Sequence, residues 1–256
     1  MTLYKHPRCY ANGDGNCSPI ISKEHFISAS LLRRLELNKT IKVAGLSWQR
    51  PETFDLISIA SFGSNILCDR HNSNLSRLDN SILQFVNTLH AIDKKQFRKD
   101  VSFSGSDIER WMLKCVVGLA FSGNAKGRVE QSWIDVLFRR ANWPDRAGLY
   151  FATNSANPTF HTDSFLVETL SGQDGVIRGA RIFLQGFPFS ILLGKPSMPN
   201  TFGLWRPRGM IFRFTKTEAR IKFKWKSAFS DTAAILSRIG AYDRPPPTWR
   251  EWEKAG

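Results

Sequence analysis

The chain is poor in cysteine, has no long apolar run and carries no acidic excess, and each lack excludes something. Four cysteines in 256 residues, Cys9, Cys17, Cys68 and Cys115, are too few for a disulfide-stapled secreted scaffold. The longest apolar stretch, Cys115 to Phe121, falls far short of the roughly 18 residues that a membrane span needs. Met1 to Pro7 contain no apolar leader core, so a soluble cytoplasmic protein without a membrane partner is expected. Acidic residues number 22 against 36 Lys and Arg, a net charge of +14 and a pI near 10. The excess is not one basic tail: residues 1–100 hold 14 basic and 9 acidic side chains, residues 101–256 hold 22 and 13. A surface of this sign concentrates polyanions, and nucleic acid, above all DNA, is the expected partner. A hydrophobic content of 42% is that of a folded chain, long enough for one large domain or two smaller ones.

What is present divides the chain into three. Residues 1–24 read as loop, with Ala11-Asn12-Gly13-Asp14-Gly15-Asn16 a concentrated turn signal between two cysteines. Apolar residues at helical spacing predict a helix over 26–37, and strand-like runs follow at 41–43 and 54–59. Cys68 to Asn74 is polar and turn-like. Leu75, Leu78, Ile82, Phe85, Leu89 and Ile92 then predict a long amphipathic helix, with Ser73 or Asn74 available to cap it. Further helices are expected over 107–121, capped near Ser106, and over 131–141. From Leu149 onward, short alternating runs between Gly, Pro and Asn clusters predict strands near 149–153, 164–170, 176–185, 189–193, 210–215 and 220–225. The expected class is α+β: a module over 1–104, a helical connector over 105–145, and a mainly antiparallel β region over 146–256. The tail, with Pro245-Pro246-Pro247, reads as an extension.

Cys68-x-x-His71 and the looser pair Cys9 and Cys17 supply four soft ligands on turns, as a tetrahedral structural zinc requires. His6 is near enough in sequence to compete, and buried thiols with a surface histidine are the alternative reading. Cys115, among apolar residues of a helix, is a core residue. Between the two pairs stands Glu24-His25, and Asn72 directly follows the last ligand.

An acid-His dipeptide between two zinc-ligand pairs, with an asparagine after the last ligand at a helix start, resembles the HNH or ββα-metal nucleases. The likeness is to their zinc-containing branch, as in phage Holliday-junction resolving endonucleases. It covers Cys9 to Asp79, clearest over Ile66 to Asn72 and Leu75 to Asp79. The resemblance implies an N-terminal zinc-stapled ββα-metal fold, Cys9, Cys17, Cys68 and His71 on zinc, and His25 as general base. It implies Glu24 and Asn72 as ligands of a catalytic Mg2+ or Mn2+. The chain departs from the pattern in having Glu for the commoner Asp, seven residues between the first cysteines, and His71 for a cysteine. The gap from His25 to Asn72 also requires an insertion in the hairpin, expected around 38–61. The chemistry is coherent without the name: a neutral imidazole activates water near pH 7, and a hard cation neutralises charge developing on the phosphate.

Arg220, Lys222, Lys224 and Lys226 alternate with Ile221, Phe223 and Trp225, so one strand face carries four cations. That face could track a phosphate backbone or be an ordinary solvated face. The function expected is a metal-dependent DNA endonuclease, with a homodimer open as its state. The alternative is a non-catalytic zinc module that binds nucleic acid or a protein partner.

Overall fold

In the computed structural model, residues 4–36, 39–50, 53–96, 100–152, 164–194, 203–214, 217–226 and 232–238 are described. In chain order these form β1 (Ile21–His25), α1 (Ala29–Leu35), β2 (Thr40–Ala44), β3 (Asp55–Ser58), β4 (Gly63–Cys68) and α2 (Asp69–Asp93). Next come β5 (Asp100–Ser104), α3 (Gly105–Phe121), α4 (Gln131–Leu137), β6 (Gly148–Ala152) and β7 (Ser164–Ser171). The last are β8 (Ile177–Leu184), β9 (Phe187–Leu192), β10 (Leu204–Arg213), β11 (Glu218–Lys224) and β12 (Thr232–Arg238). The proline triplet and tail lie outside the described residues, as do Arg98 and Lys99.

The apolar stripe of α2 behaves as its spacing predicts: Leu75, Leu78, Ile82, Phe85, Leu89 and Ile92 are all buried. Its start differs from expectation. Neither Ser73 nor Asn74 caps it; β4 runs into the helix at Asp69 without a loop, and the Asp69 N–H donates to Ile20 O at 2.9 Å. A carboxylate in the first turn suits the positive end of the helix. His71 and Asn72 are therefore helical residues. The cap of α3 also moves, from Ser106 to Ser104, whose Oγ accepts from the Asp107 N–H at 3.2 Å.

Trp111, Met112, Leu113, Cys115, Val116, Val117 and Leu119 are wholly buried, so α3 is buried almost all round and forms the central helix. Gly118 lets it approach the end of β1, because a Cβ there would lie 2.2 Å from Phe26 Cβ. At its other end, buried Glu109 pairs with Arg206 of β10 and accepts from the Leu149 N–H of β6 at 2.8 Å.

The described strands make two sheets. One has ten strands in the order β3-β2-β7-β8-β9-β6-β10-β11-β5, with β12 also paired to β10. It is mostly antiparallel; β2 with β7, β5 with β11 and β10 with β12 are the parallel pairs. Strands that precede residue 105 thus share a sheet with those after 146, and one hydrophobic cluster runs from Cys9 to Phe223. The second sheet is the antiparallel pair β1 and β4, with Ile21 opposite Cys68 and His25 opposite Gly63. The segment between these strands is longer than the expected insertion: it carries α1, β2 and β3, and β2 and β3 join the large sheet. The chain is a mixed α+β fold with a large, mostly antiparallel sheet. No described helix is long and apolar enough to cross a membrane.

Candidate metal centre and neighbouring polar cluster

The loop before β1 lies along β4, where the Tyr10 N–H donates to Ile66 O at 3.0 Å. A 3-10 turn over Asn12–Asp14 ends at Gly15, whose φ of 72° is the left-handed conformation that glycine adopts freely. These turns bring Cys9 and Cys17 against Cys68, at the end of β4, and His71, in the first turn of α2. His71 Nδ1 lies 3.4 Å from Cys9 Sγ, 3.9 Å from Cys17 Sγ and 3.2 Å from Cys68 Sγ. All four side chains are buried, with donor atoms within 4.8 Å of one another. Metal–sulfur bonds of about 2.3 Å and metal–nitrogen bonds of about 2.0 Å in a tetrahedron put sulfur and nitrogen roughly 3.5 Å apart. The observed spacings bracket that value, and three thiols with one imidazole are the donors a borderline-soft ion takes. The four side chains can hold a metal such as zinc. They are the one such group among the described residues.

His6 stands outside the cluster, its Nδ1 accepting from the Arg8 N–H at 3.1 Å. Cys115 is a fully buried core residue of α3. Burial pushes the Cys9 thiol up to about 12, despite backbone N–H groups that favour its thiolate. Cys68 Sγ accepts from the Ser18 N–H at 3.3 Å. The sequence reading missed what stands behind the histidine. His71 Nε2 faces Asp14 Oδ1 at 3.6 Å, and Asp14 is held by Arg140 Nη1 at 2.8 Å. Arg140 in turn meets Asp135 of α4 at 3.0 Å. A carboxylate behind a ligating histidine fixes its tautomer and orientation. Asp14 was visible only as a turn residue, and nothing in the spacing points to Arg140.

The other site candidates sit beside β1. Asn72 Nδ2 donates to Ser22 Oγ at 3.0 Å, and that hydroxyl donates on to Leu67 O at 3.1 Å. Asn72 Oδ1 takes no hydrogen bond among the described residues. His25, half-buried at the end of β1, has its pKa lowered from the ordinary 6.5. Burial is the main cause, and Lys23, Lys114 and Arg33 add to it against the pull of Asp79.

Glu24 turns inward. It is 1% exposed and its Oε1 lies 2.9 Å from Lys114 Nζ of α3, itself 1% exposed. Lys114 also donates to Asp79 of α2 at 2.7 and 2.9 Å. Asp79 accepts from Ser28 Oγ, which accepts from Trp111 Nε1 at 2.7 Å. One ammonium thus serves two carboxylates. Burial would lower the pKa of Lys114, but its two acid partners outweigh this and raise it. For Glu24 burial wins over Lys114, and its pKa is raised. A lone lysine in the otherwise apolar run 111–121 was the available signal, since a charge there requires a partner. Because Lys114→Met strands two carboxylates, a loss of about 3–5 kcal/mol of stability is expected on denaturant unfolding. Glu24→Gln in the same chain should restore part of it, and equal stability of Lys114→Met and wild type would refute the pairing.

On β11, Arg220, Lys222 and Lys224 are exposed and alternate with buried Ala219, Ile221 and Phe223. Lys226, just past the strand, is exposed too. Glu218 pairs with Arg220 and Arg213, whereas Lys222 and Lys224 form no ion pair among the described residues. Lys222 stands opposite Ser102 of β5 and Gly209 of β10, so small neighbours leave its ammonium accessible. No protein-family model, curated protein or solved structure matches the chain.

Proposed function

We propose that the chain is a metal-dependent endonuclease that hydrolyses DNA phosphodiester bonds, with His25 as general base. The observation that carries this reading is the joint between β4 and α2. It sets His71 into the Cys/His cluster and Asn72 against β1, the strand that ends in His25. In this reading the cluster holds zinc as a scaffold, and the β1, β4 and α2 unit is the ββα-metal module of an HNH-type enzyme. A half-buried imidazole with a lowered pKa is neutral near pH 7 and able to take a proton from water. Asn72 Oδ1 is the oxygen available to a hard cation. Glu24, its expected fellow ligand, is committed to Lys114, so that role requires the ammonium to be displaced. A bound Mg2+ or Mn2+ would supply charge neutralisation at the phosphate.

The test is incubation of supercoiled plasmid and a branched junction with Mg2+, Mn2+ or EDTA. Nicking that depends on the divalent ion supports the reading, and no cleavage of any substrate in either metal rejects it. The pH profile is a second measure. Protonation removes the base, so the rate falls as pH drops through the His25 pKa. Because that pKa is depressed, the acid limb of log kcat/KM should lie below 6.5. A limb at or above that value would remove His25 from the role.

One observation favours the alternative, a non-catalytic zinc module that binds nucleic acid or a protein. The carboxylate that would ligate the catalytic metal is neutralised inside the fold. Under that reading the protein binds DNA in EDTA and never nicks it.

A further inference from the structure

The head of α3 carries more guanidinium than its carboxylate neutralises. Asp107, in the first turn and 4% exposed, accepts from Arg77 Nη2 of α2 at 3.0 Å. It also accepts from Arg139 Nη2, just past α4, at 3.3 Å. Three residues on, and so on the same helix face, Arg110 adds a third guanidinium whose Nε and Nη1 are buried without a partner. Among the described residues Arg110 forms no ion pair, and neighbouring Glu109 is taken by Arg206. Burial and then Arg139 depress the pKa of Arg110, with Arg77 acting the same way against Asp107 and Glu109. Three cations thus share one carboxylate, with Glu109 adding only partial relief because Arg206 holds it. An oxyanion would relieve the surplus, since guanidinium groups pair with phosphate oxygens in charge-assisted bonds.

The position favours a nucleic-acid backbone as the source of that oxyanion. Arg77 follows Asn72 by five residues on α2, about 7.5 Å along the axis and roughly 140° round it. From Ser73 to Asn80 the exposed residues other than Arg77 are Ser73, Asn74, Ser76 and Asn80, small, polar and uncharged. A sugar–phosphate strand can lie close on such a crest, meeting no acidic side chain from Ser73 to Asn80 except Asp79, which Lys114 holds.

We propose that Arg77, Arg110 and Arg139 form a phosphate subsite that grips a backbone phosphodiester of a bound nucleic acid. This rests on the nucleic-acid part of the reading above and not on catalysis. Arg110→Met is the informative variant, because it removes a half-buried cation whose Nε and Nη1 have no partner and should leave stability equal or higher. Full-length protein is titrated with a fluorescein-labelled DNA duplex in EDTA over a range of salt. The variant should bind about tenfold more weakly, with the slope of log K against log salt reduced by about one. Arg178→Gln, which removes a remote exposed charge paired to Asp174, should change neither much. In a parallel arm, inorganic phosphate should raise the melting temperature of wild type more than that of Arg110→Met.

Unchanged DNA affinity and slope in Arg110→Met overturn the backbone assignment, and if phosphate still distinguishes the two proteins the site takes a free phosphate instead. Unchanged behaviour in both arms overturns the subsite altogether. Should Arg110→Met fail to fold, Arg139→Gln gives the same readouts, since Arg77 still holds Asp107. DNA binding in EDTA that loses its dependence on Arg110 is distinct from a failure to cleave in Mg2+, so the two proposals fail separately.

Discussion

His25→Ala should lower divalent-dependent cleavage by a factor on the order of 10²–10⁴ while leaving metal content and melting temperature unchanged. That range is what a positioned general base contributes, about 3–5 kcal/mol of transition-state stabilisation. The separation of activity from stability follows from where the residue sits. His25 closes β1 opposite Gly63 and is only half-buried, whereas its neighbours Glu24 and Phe26 point into the fold. Removing the imidazole therefore opens little apolar space and breaks no ion pair among the described residues. Asn72→Ala offers a comparison, since it removes both a hydrogen bond to Ser22 and the free amide oxygen. If His25→Ala nicks plasmid as fast as wild type, the base is another group. If it also loses its bound metal, the effect is structural and says nothing of catalysis.

Cys68→Ala should have the largest effect on the fold. We expect purified wild type to carry one zinc per chain by elemental analysis, and the variant to carry none. Cys68 Sγ is the sulfur closest to His71 Nδ1, and it also accepts the Ser18 N–H that folds the preceding loop back. Zinc holding that loop would provide several kcal/mol, because sites of this donor set stabilise small modules by about 10–16 kcal/mol in total. For a chain of this size a fall of roughly 10 °C or more in melting temperature is the corresponding scale. Limited proteolysis should then cut within residues 4–20 first. The pH dependence has a definite sign: a Cys9 thiol at about 12 must give up its proton on binding, so metal affinity rises with pH. A wild-type protein that purifies without metal and is indifferent to Cys68→Ala would remove the zinc reading.

The features legible in the sequence are those with a local period or a fixed spacing. The α2 stripe, the alternation of β11 and the two Cys/His pairs all follow from residues a few positions apart. What the sequence hid depends on distant partners. Lys114 announces that it needs counter-charges, but Glu24 and Asp79 are chosen by how β1, α2 and α3 pack. Asp14 looks like a turn former until His71 is set behind it. Helix starts moved for a related reason: Asp69 to Asn72 are polar enough to read as a turn, and only the direct feed from β4 makes them helical. Residues 1–104 read as one module because β2, β3 and β5 carry no mark of the strands they join.

Those joins govern the order in which the molecule can be built. Val43 waits for Phe165, and Val101 waits for Ile221, before either strand has its parallel neighbour. At typical elongation rates the second wait is on the order of ten seconds, during which α3 has no sheet to cover it. Final assembly of the sheet thus cannot precede synthesis of β11. A fragment ending at residue 104 should need chaperones, not merely dilution, to stay in solution. On the nuclease reading proposed above, such timing would keep the nascent polypeptide silent until β11 has left the ribosome.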